Sequence, residues 1–393
     1  MSFNSGWDYS DTIRAPDAGQ AIAAFYAGKY RHSPLAEWER RLANGEILRN
    51  GHAAGAADTI RAGDHLLWRR PPWNEGAFPE DLPIIYSDAS IVAIDKPAGL
   101  STMPDGGWME NSLVGWLRRR FGRDAPAPAH RLNRGTSGIV LCARTPAARA
   151  ALARQFLEKT ASAHSVGAAA SPASAVSARP VCAVLQTAQA RGLGREAPAL
   201  AKTYLAATIP PPAGIPRHPF AITAPIGKVP HPILGHVFAA SPAGKPALSE
   251  CQIVSESGGF ALWRVNLVTG RPHQIRIHLA SIGAPLLGEP LFLPGGAPRL
   301  SALPGDCGYF LRALSISFTH PASGDRVTIS VPPDAHFGII PTGARTSCTS
   351  SIGYSSRCQW HSSSSPQSAP SATSTAWPTS SPPDASPAAT SYA

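Results

Sequence analysis

The sequence predicts a mixed α+β protein, because short β-rich runs alternate with amphipathic helical runs along a central stretch, and low-complexity segments interrupt and follow it. Its 393 residues accommodate two or three domains, and 43% hydrophobic content supplies at least one core of ordinary size. Thirty-five Lys and Arg against twenty-five Asp and Glu give a formal charge of +10 and a pI near 9.6. That balance fits a polyanionic partner such as nucleic acid and, equally, a generally basic soluble surface. No run approaches the roughly 20 apolar residues that a bilayer span needs, so no membrane association is expected. Residues 1–20 carry Asp8, Asp11 and Asp17 and no apolar core, unlike a secretory signal or an acid-poor transit peptide. Cytoplasm is the default expectation, with an organellar or nuclear location left open. The six cysteines (Cys142, Cys182, Cys251, Cys307, Cys348, Cys358) form no Cys-x-x-Cys pair, which argues against a zinc site and a disulfide framework.

After an N-terminal extension at 1–20, residues 21–70 read as a small helical module followed by short strands. Residues 21–30 are apolar and aromatic, 35–42 form an amphipathic stretch around Trp38, Asn44-Gly45 marks a turn, and 59–68 ends in a strand. The Pro-rich segment 71–83 reads as a linker. Residues 84–86 and 91–94 are β-rich runs split by the polar turn Ser87-Asp88-Ala89-Ser90, a hairpin pattern. In 112–121, Leu113, Trp116 and Leu117 share a helical face, and Arg118, Arg119 and Arg120 complement a helix C-terminus. A further helix is expected over 146–159. Residues 161–200 are rich in Ala, Ser, Pro and Val with no clear period and are flanked by two Lys-Thr pairs. They are expected to be a disordered surface loop or translated intronic sequence. The Ser-, Pro- and Thr-rich segment 341–393 offers too little periodic apolar surface to offset ordering entropy and is expected to be disordered.

Four blocks carry the chemistry. The first, Ile94-Asp95-Lys96-Pro97-Ala98-Gly99-Leu100, is a strand-to-turn signal whose Lys96 is a candidate phosphate contact. The second is His130-Arg131-Leu132-Asn133-Arg134-Gly135-Thr136-Ser137-Gly138, leading into an apolar strand. A tight turn explains its glycines and leaves Arg131 and Arg134 unexplained. The third is Lys202-Thr203-Tyr204-Leu205-Ala206, in which Tyr204 alternates with apolar neighbours. The fourth runs from Leu267 through Thr269-Gly270-Arg271-Pro272-His273-Gln274-Ile275-Arg276-Ile277-His278 to Gly288 and contains a helix start near Gln274. His273 and His278 stand five apart with no carboxylate between them, so they lack the spacing of a His-Glu-x-x-His zinc helix.

Together and in this order, the blocks resemble the RluA-type RNA pseudouridine synthases over roughly two thirds of the chain. Residues 21–70 loosely resemble a degenerate S4 domain, a small RNA-binding module. The resemblance implies a mainly antiparallel catalytic sheet domain over 84–340 with an RNA cleft, RNA as partner and no cofactor or metal. A monomer is expected. The implied reaction detaches uracil from ribose at N1, turns it and reattaches it through C5, on a nucleotide displaced from its stack. The implied catalytic positions are Asn133, Tyr204 and Arg276, with Arg276 pairing with residue 133. Arg131 is implied to displace the uridine, and Arg134, Lys96, Arg271, Arg40 and Arg41 are expected RNA contacts, with Arg31 and Arg49 as further basic positions of the small module. At the position of the family's catalytic aspartate this chain has Asn133, an amide that neither titrates near neutral pH nor matches a carboxylate as nucleophile. The alternative to an active synthase is therefore an RNA-binding relative without catalysis. A DNA-binding protein driven by charge alone is a third, weaker reading.

Overall fold

Aromatic side chains of the first seventy residues gather into one small core. In the computed structural model, which describes residues 3–30, 33–167, 185–187, 200–233, 235–257, 259–302 and 307–333, this module contains β1 (Trp7–Thr12), α1 (Ile22–Lys29), α2 (Leu35–Ala43), β2 (Ile47–Arg49), β3 (His52–Ala53) and β4 (His65–Arg70). The strands form an antiparallel sheet in the order β1-β4-β2-β3. Trp38 and Leu42, one helical turn apart, bury the inner face of α2. Trp38 stacks on Tyr26 at 4.9 Å and meets Trp68 of β4 edge-on at 4.9 Å. Residues 1–20 are not a separate extension: β1 pairs with β4 from Trp7↔Arg70 to Thr12↔His65, covering a strand edge that would otherwise be bare.

The Pro-rich stretch 71–83 is anchored along its course. The Glu75 carboxylate, 2% exposed, accepts from Asn4 Nδ2 and from the N–H groups of Met109, Glu110 and Asn111. Arg70 lies 3.5 Å over the Trp73 ring and donates to the Gly106 carbonyl, while Trp73 Nε1 donates to Gly107. The small module is thereby fastened to the loop around Trp108.

The larger part of the fold contains β5 (Ile84–Ser87), β6 (Ile91–Lys96), α3 (Leu113–Phe121), β7 (Ala127–Pro128), β8 (Ser137–Ala143), α4 (Pro146–Gly167), β9 (Leu185–Thr187), β10 (Ala201–Thr208), β11 (Phe220–Ile222), β12 (Ile226–His231), β13 (Gly235–Ala240), β14 (Ser249–Ser257), β15 (Phe260–Leu267), α5 (Gln274–Ser281), β16 (Leu311–Thr319) and β17 (Arg326–Ser330). The main sheet runs β5-β6-β8-β16-β10-β15-β14-β11-β9, with β7 on β8 and β17 on β16. Every pair is antiparallel except β8 with β16, so the fold is a mixed α+β one with a mainly antiparallel sheet. Ser112 caps α3 by accepting from Gly115 N at 3.1 Å. Helix α4 continues past the stop expected at Lys159, since the residues that follow include the helix-tolerant Ala161 and Ala163. Strand β9 lies inside the 161–200 segment and pairs with β11. The rest of that segment from 168 on, and the 341–393 segment, lie outside the described residues, as does Arg31.

The parallel joint places the site. Only Ser137↔Arg312 and Gly138↔Ala313 join the two antiparallel halves there. At Gly138, φ is +106° and a Cβ would lie 2.2 Å from the Ala313 carbonyl oxygen, so glycine is required by the close approach of β16. The loop that ends at Gly138 is thus pinned at the centre of the sheet. Among the described residues no helix is long and apolar enough to cross a membrane.

Candidate active site

The loop from His130 to Thr136 has its backbone polar groups satisfied by the first sequence block and its neighbours. Thr102 Oγ1 donates to the Leu132 carbonyl at 2.8 Å and accepts from Leu132 N at 3.1 Å. Gly99 N donates to the Arg134 carbonyl, and Thr136 N closes a turn onto the Asn133 carbonyl at 3.0 Å. Lys96 corrects the expectation of a phosphate contact: it is fully buried, and its ammonium donates to the carbonyls of Pro97 at 2.8 Å, Leu100 at 2.7 Å and Arg134 at 3.4 Å. A buried ammonium tied to carbonyls is a staple of the loop. Arg134 lies 4.0 Å over the Trp108 ring, and Arg131 is exposed.

Opposite this loop stands the N-terminus of α5. Gln274 uses its whole amide to hold the turn before the helix: Oε1 accepts from Thr269 Oγ1 and Arg271 N, and Nε2 donates to the Leu248 carbonyl and Ser249 Oγ. Arg271 Nε donates to the Pro246 carbonyl at 3.0 Å. His278 is fully buried between Ser249 Oγ and the Ala224 carbonyl, and burial lowers its pKa to about 4, a structural role. His273, at φ +54°, takes the left-handed conformation just before the helix.

The expected pairing of Arg276 with residue 133 gives way to another. Arg276 makes a two-pronged ion pair with Glu289, Nε to Oε2 at 2.8 Å and Nη2 to Oε1, and both side chains are 1% exposed. The guanidinium also lies 4.2 Å over the Tyr309 ring and 5.2 Å over that of Phe292. A neutral side chain at position 133 therefore leaves no uncompensated buried charge. The remaining nitrogen, Arg276 Nη1, donates to His273 Nδ1 at 3.3 Å, and Asn133 Nδ2 reaches the same Nδ1 at 3.0 Å. Asn133 and Arg276 thus meet through the imidazole. Burial, with the nearby charges of Arg276 and Arg131, lowers the His273 pKa to about 3 and keeps the ring neutral.

Tyr204 is 6% exposed, and its phenol is pushed up by burial. It shares a hydrophobic cluster with Leu132, Ile275 and Tyr309. Tyr309, whose hydroxyl lies 3.3 Å from Thr136 Oγ1, is the tyrosine beneath the Arg276 guanidinium. Asp95, the acid of the first block, is occupied by Arg312 at 3.0 and 2.7 Å. Arg40 and Arg41 belong to α2 of the small module. Both pair with Glu37, and Arg41 lies over the rings of Trp38 and Trp68. Arg49 pairs with Asp64 at 2.8 Å.

Sequence reading passed over Glu289, Tyr309 and Trp108 and gave His273 no chemical part. Glu289 follows directly on the Gly288 that ends the fourth block, and that adjacency was its one available signal. Among the described residues no three His, Cys, Asp or Glu side chains gather as a metal site would require.

The chain is similar along most of its length to known proteins. The RNA pseudouridylate synthase family model matches residues 90–165, which include the first two blocks. RNA pseudouridine synthase 5 of rice (Oryza sativa subsp. japonica) is 33% identical, over 84% of this chain and 87% of its own. An uncharacterized RNA pseudouridine synthase of Synechocystis is 33% identical over 78% and 92%. Ribosomal large subunit pseudouridine synthase D of Xanthomonas campestris is 28% identical over 79% and 84%. A shared family model, a third of all positions shared across nearly whole chains, and a loop and helix that meet at the second and fourth blocks make this chain a member of the RluA-type RNA pseudouridine synthases.

Proposed function

We propose that the cleft between the His130–Thr136 loop and the start of α5 isomerises a uridine that Arg131 helps to displace from its stack. The observation that carries this reading is the juxtaposition of an exposed arginine with a preorganised, largely buried Asn133–His273–Arg276–Glu289 chain. A base must leave its stack before its glycosidic bond is reachable, at a cost of about a few kcal/mol, and a guanidinium suits both the vacated space and the phosphates beside it. Tyr204 and Tyr309 supply apolar, neutral surface on which the uracil ring is received. On the small module, a groove of about 400 Å³ lined by Arg40, Arg41, Arg70 and Trp68, with Glu37 and Glu46, supports a second contact with flanking RNA.

In the reaction the C1′–N1 bond breaks with its electron pair passing to the uracil. The C5–C1′ bond then forms, the C5 proton leaves to water and N1 takes one up. The experiment is a comparison of Arg131→Ala on two RNAs. On a uridine stacked in a stem, kcat/KM is expected to fall about a hundred-fold, the equivalent of about 3 kcal/mol of lost help with extrusion. On the same uridine in an unstructured oligonucleotide the loss is expected to be under about ten-fold. Equal losses on both RNAs would remove extrusion from the role of Arg131.

A further inference from the structure

We propose that His273 is a catalytic residue of this cleft, a neutral imidazole whose Nε2–H donates a hydrogen bond to uracil O2 as the glycosidic bond breaks. The inference deepens the synthase reading and rests on it.

The ring nitrogen of His273 that meets other side chains is Nδ1. A guanidinium has donors and no acceptor, so Arg276 Nη1 can meet His273 Nδ1 only if Nδ1 offers a lone pair. Once Nδ1 is an acceptor, the Asn133 atom 3.0 Å away must be its NH2 group, because the amide oxygen would face that same lone pair. Two donors at Nδ1 leave the ring proton of neutral imidazole on Nε2. Among the described residues both hydrogen bonds of the ring are made at Nδ1, so Nε2–H is the end that remains for a ligand.

The surroundings keep that proton in place. His273 faces Arg276 and Arg131, and the charge of Arg276 is matched by Glu289, so the imidazole gains nothing from taking a second proton. The backbone at φ +54° is a conformation that non-glycine residues rarely adopt. Here it sets the ring between the Asn133 loop and the helix start.

The chemistry requires such a donor. When the C1′–N1 bond breaks, the electron pair is delocalised over N1 and O2 of the uracil, while the ribose carries the complementary positive charge. A preorganised N–H aimed at the oxygen where charge develops stabilises that stage more than the ground state. Without a carboxylate at position 133, departure of a stabilised uracil anion is the route these side chains favour. Asn133 and Arg276 then act as positioning residues, fixing which nitrogen of His273 carries the proton.

The test combines kinetics with the tautomer itself. Single-turnover release of tritium from 5-tritiated uridine in RNA is expected to fall about a hundred- to a thousand-fold in His273→Leu, with the Kd for RNA changed less than about three-fold. His273→Gln, which places an N–H near the Nε2 position, is expected to recover at least about ten-fold of that loss. Nitrogen-15 spectra of histidine-labelled protein at pH 7 should show His273 protonated at Nε2 alone. Wild-type rates in His273→Leu, or a proton at Nδ1, would overturn the role of His273 while leaving the synthase reading intact. If His273→Leu fails to fold, the glutamine variant and the spectrum decide. Wild-type protein that releases no tritium would overturn the synthase reading, and this inference with it.

Discussion

Replacing Glu289 with glutamine is expected to destabilise the protein by about 3–5 kcal/mol, the usual cost of leaving one member of a buried ion pair without its partner. Arg276 is 1% exposed, and its neighbours other than Glu289 are the Phe292 and Tyr309 rings, the Tyr309 hydroxyl and His273 Nδ1. None of these takes a full charge. Glu289 does more than neutralise, because its Oε1 also accepts from Leu291 N at 3.0 Å and Phe292 N at 3.3 Å. A glutamine keeps the shape and one acceptor and loses the charge. The measurement is chemical or thermal unfolding, where a loss of this size lowers Tm by on the order of 10 °C. Removing both charges, with Arg276→Met in the same chain, is expected to restore most of the stability and none of the activity, because an uncharged pair of similar volume avoids the cost of a buried unpaired charge. A Glu289→Gln protein within about 1 kcal/mol of the parent would show that the pair is not the structural centre of the site.

The second large effect is with pH. His130 is held well below its ordinary pKa by burial and by Lys202, His278 is lowered to about 4 and His273 to about 3, all from an unfolded value of about 6.5. Each folded pKa is depressed, so between about pH 6.5 and 4 the unfolded chain binds more protons than the folded one, and stability rises with pH. The stability that these histidines contribute is therefore complete above about pH 6.5 and is lost as the pH falls. With three such groups the slope reaches about 4 kcal/mol per pH unit where all three titrate only in the unfolded state. Carboxylates enter later. Asp88, despite burial, is held down to about 2 by the N–H groups of Ile91 and Ser90, and its contribution is lost only below its unfolded value near 4. Lys202, lowered by burial to about 7, acts in the same direction between about 7 and 10.5, outside this window. Denaturant midpoints at pH 7, 6 and 5 should fall progressively, and equal midpoints at all three would contradict neutral burial of these histidines.

How far the chain could be read in advance depended on the range of the interaction. Helices α2 and α3 were legible because Trp38 with Leu42, and Leu113 with Trp116 and Leu117, repeat at helical spacing. The hairpin of β5 and β6 was legible from two apolar runs around a polar turn. The pairing of β1 with β4 and the parallel joint at Gly138 were not, since each links strands separated by many residues and leaves no local period. The site divides in the same way. Motif order brought out Asn133 and Arg276 but supplied the wrong partner for the arginine, because Glu289 lies in an irregular Gly-Glu-Pro segment with no pattern to mark it. Lys96 stood out as a cation beside a turn, whereas its burial depends on three carbonyls that come together only when the Asn133 loop folds over it.

A cleft with an amide at position 133 is expected still to perform the isomerisation. The direct measurement is release of tritium from 5-tritiated uridine in RNA by the unaltered protein, beside Asn133→Asp, with RNA binding measured in parallel. Release by the unaltered protein is expected, in step with the appearance of pseudouridine in the product. Folded, RNA-binding protein that releases nothing, with release appearing only in Asn133→Asp, would contradict it and identify the chain as an RNA-binding relative without catalysis.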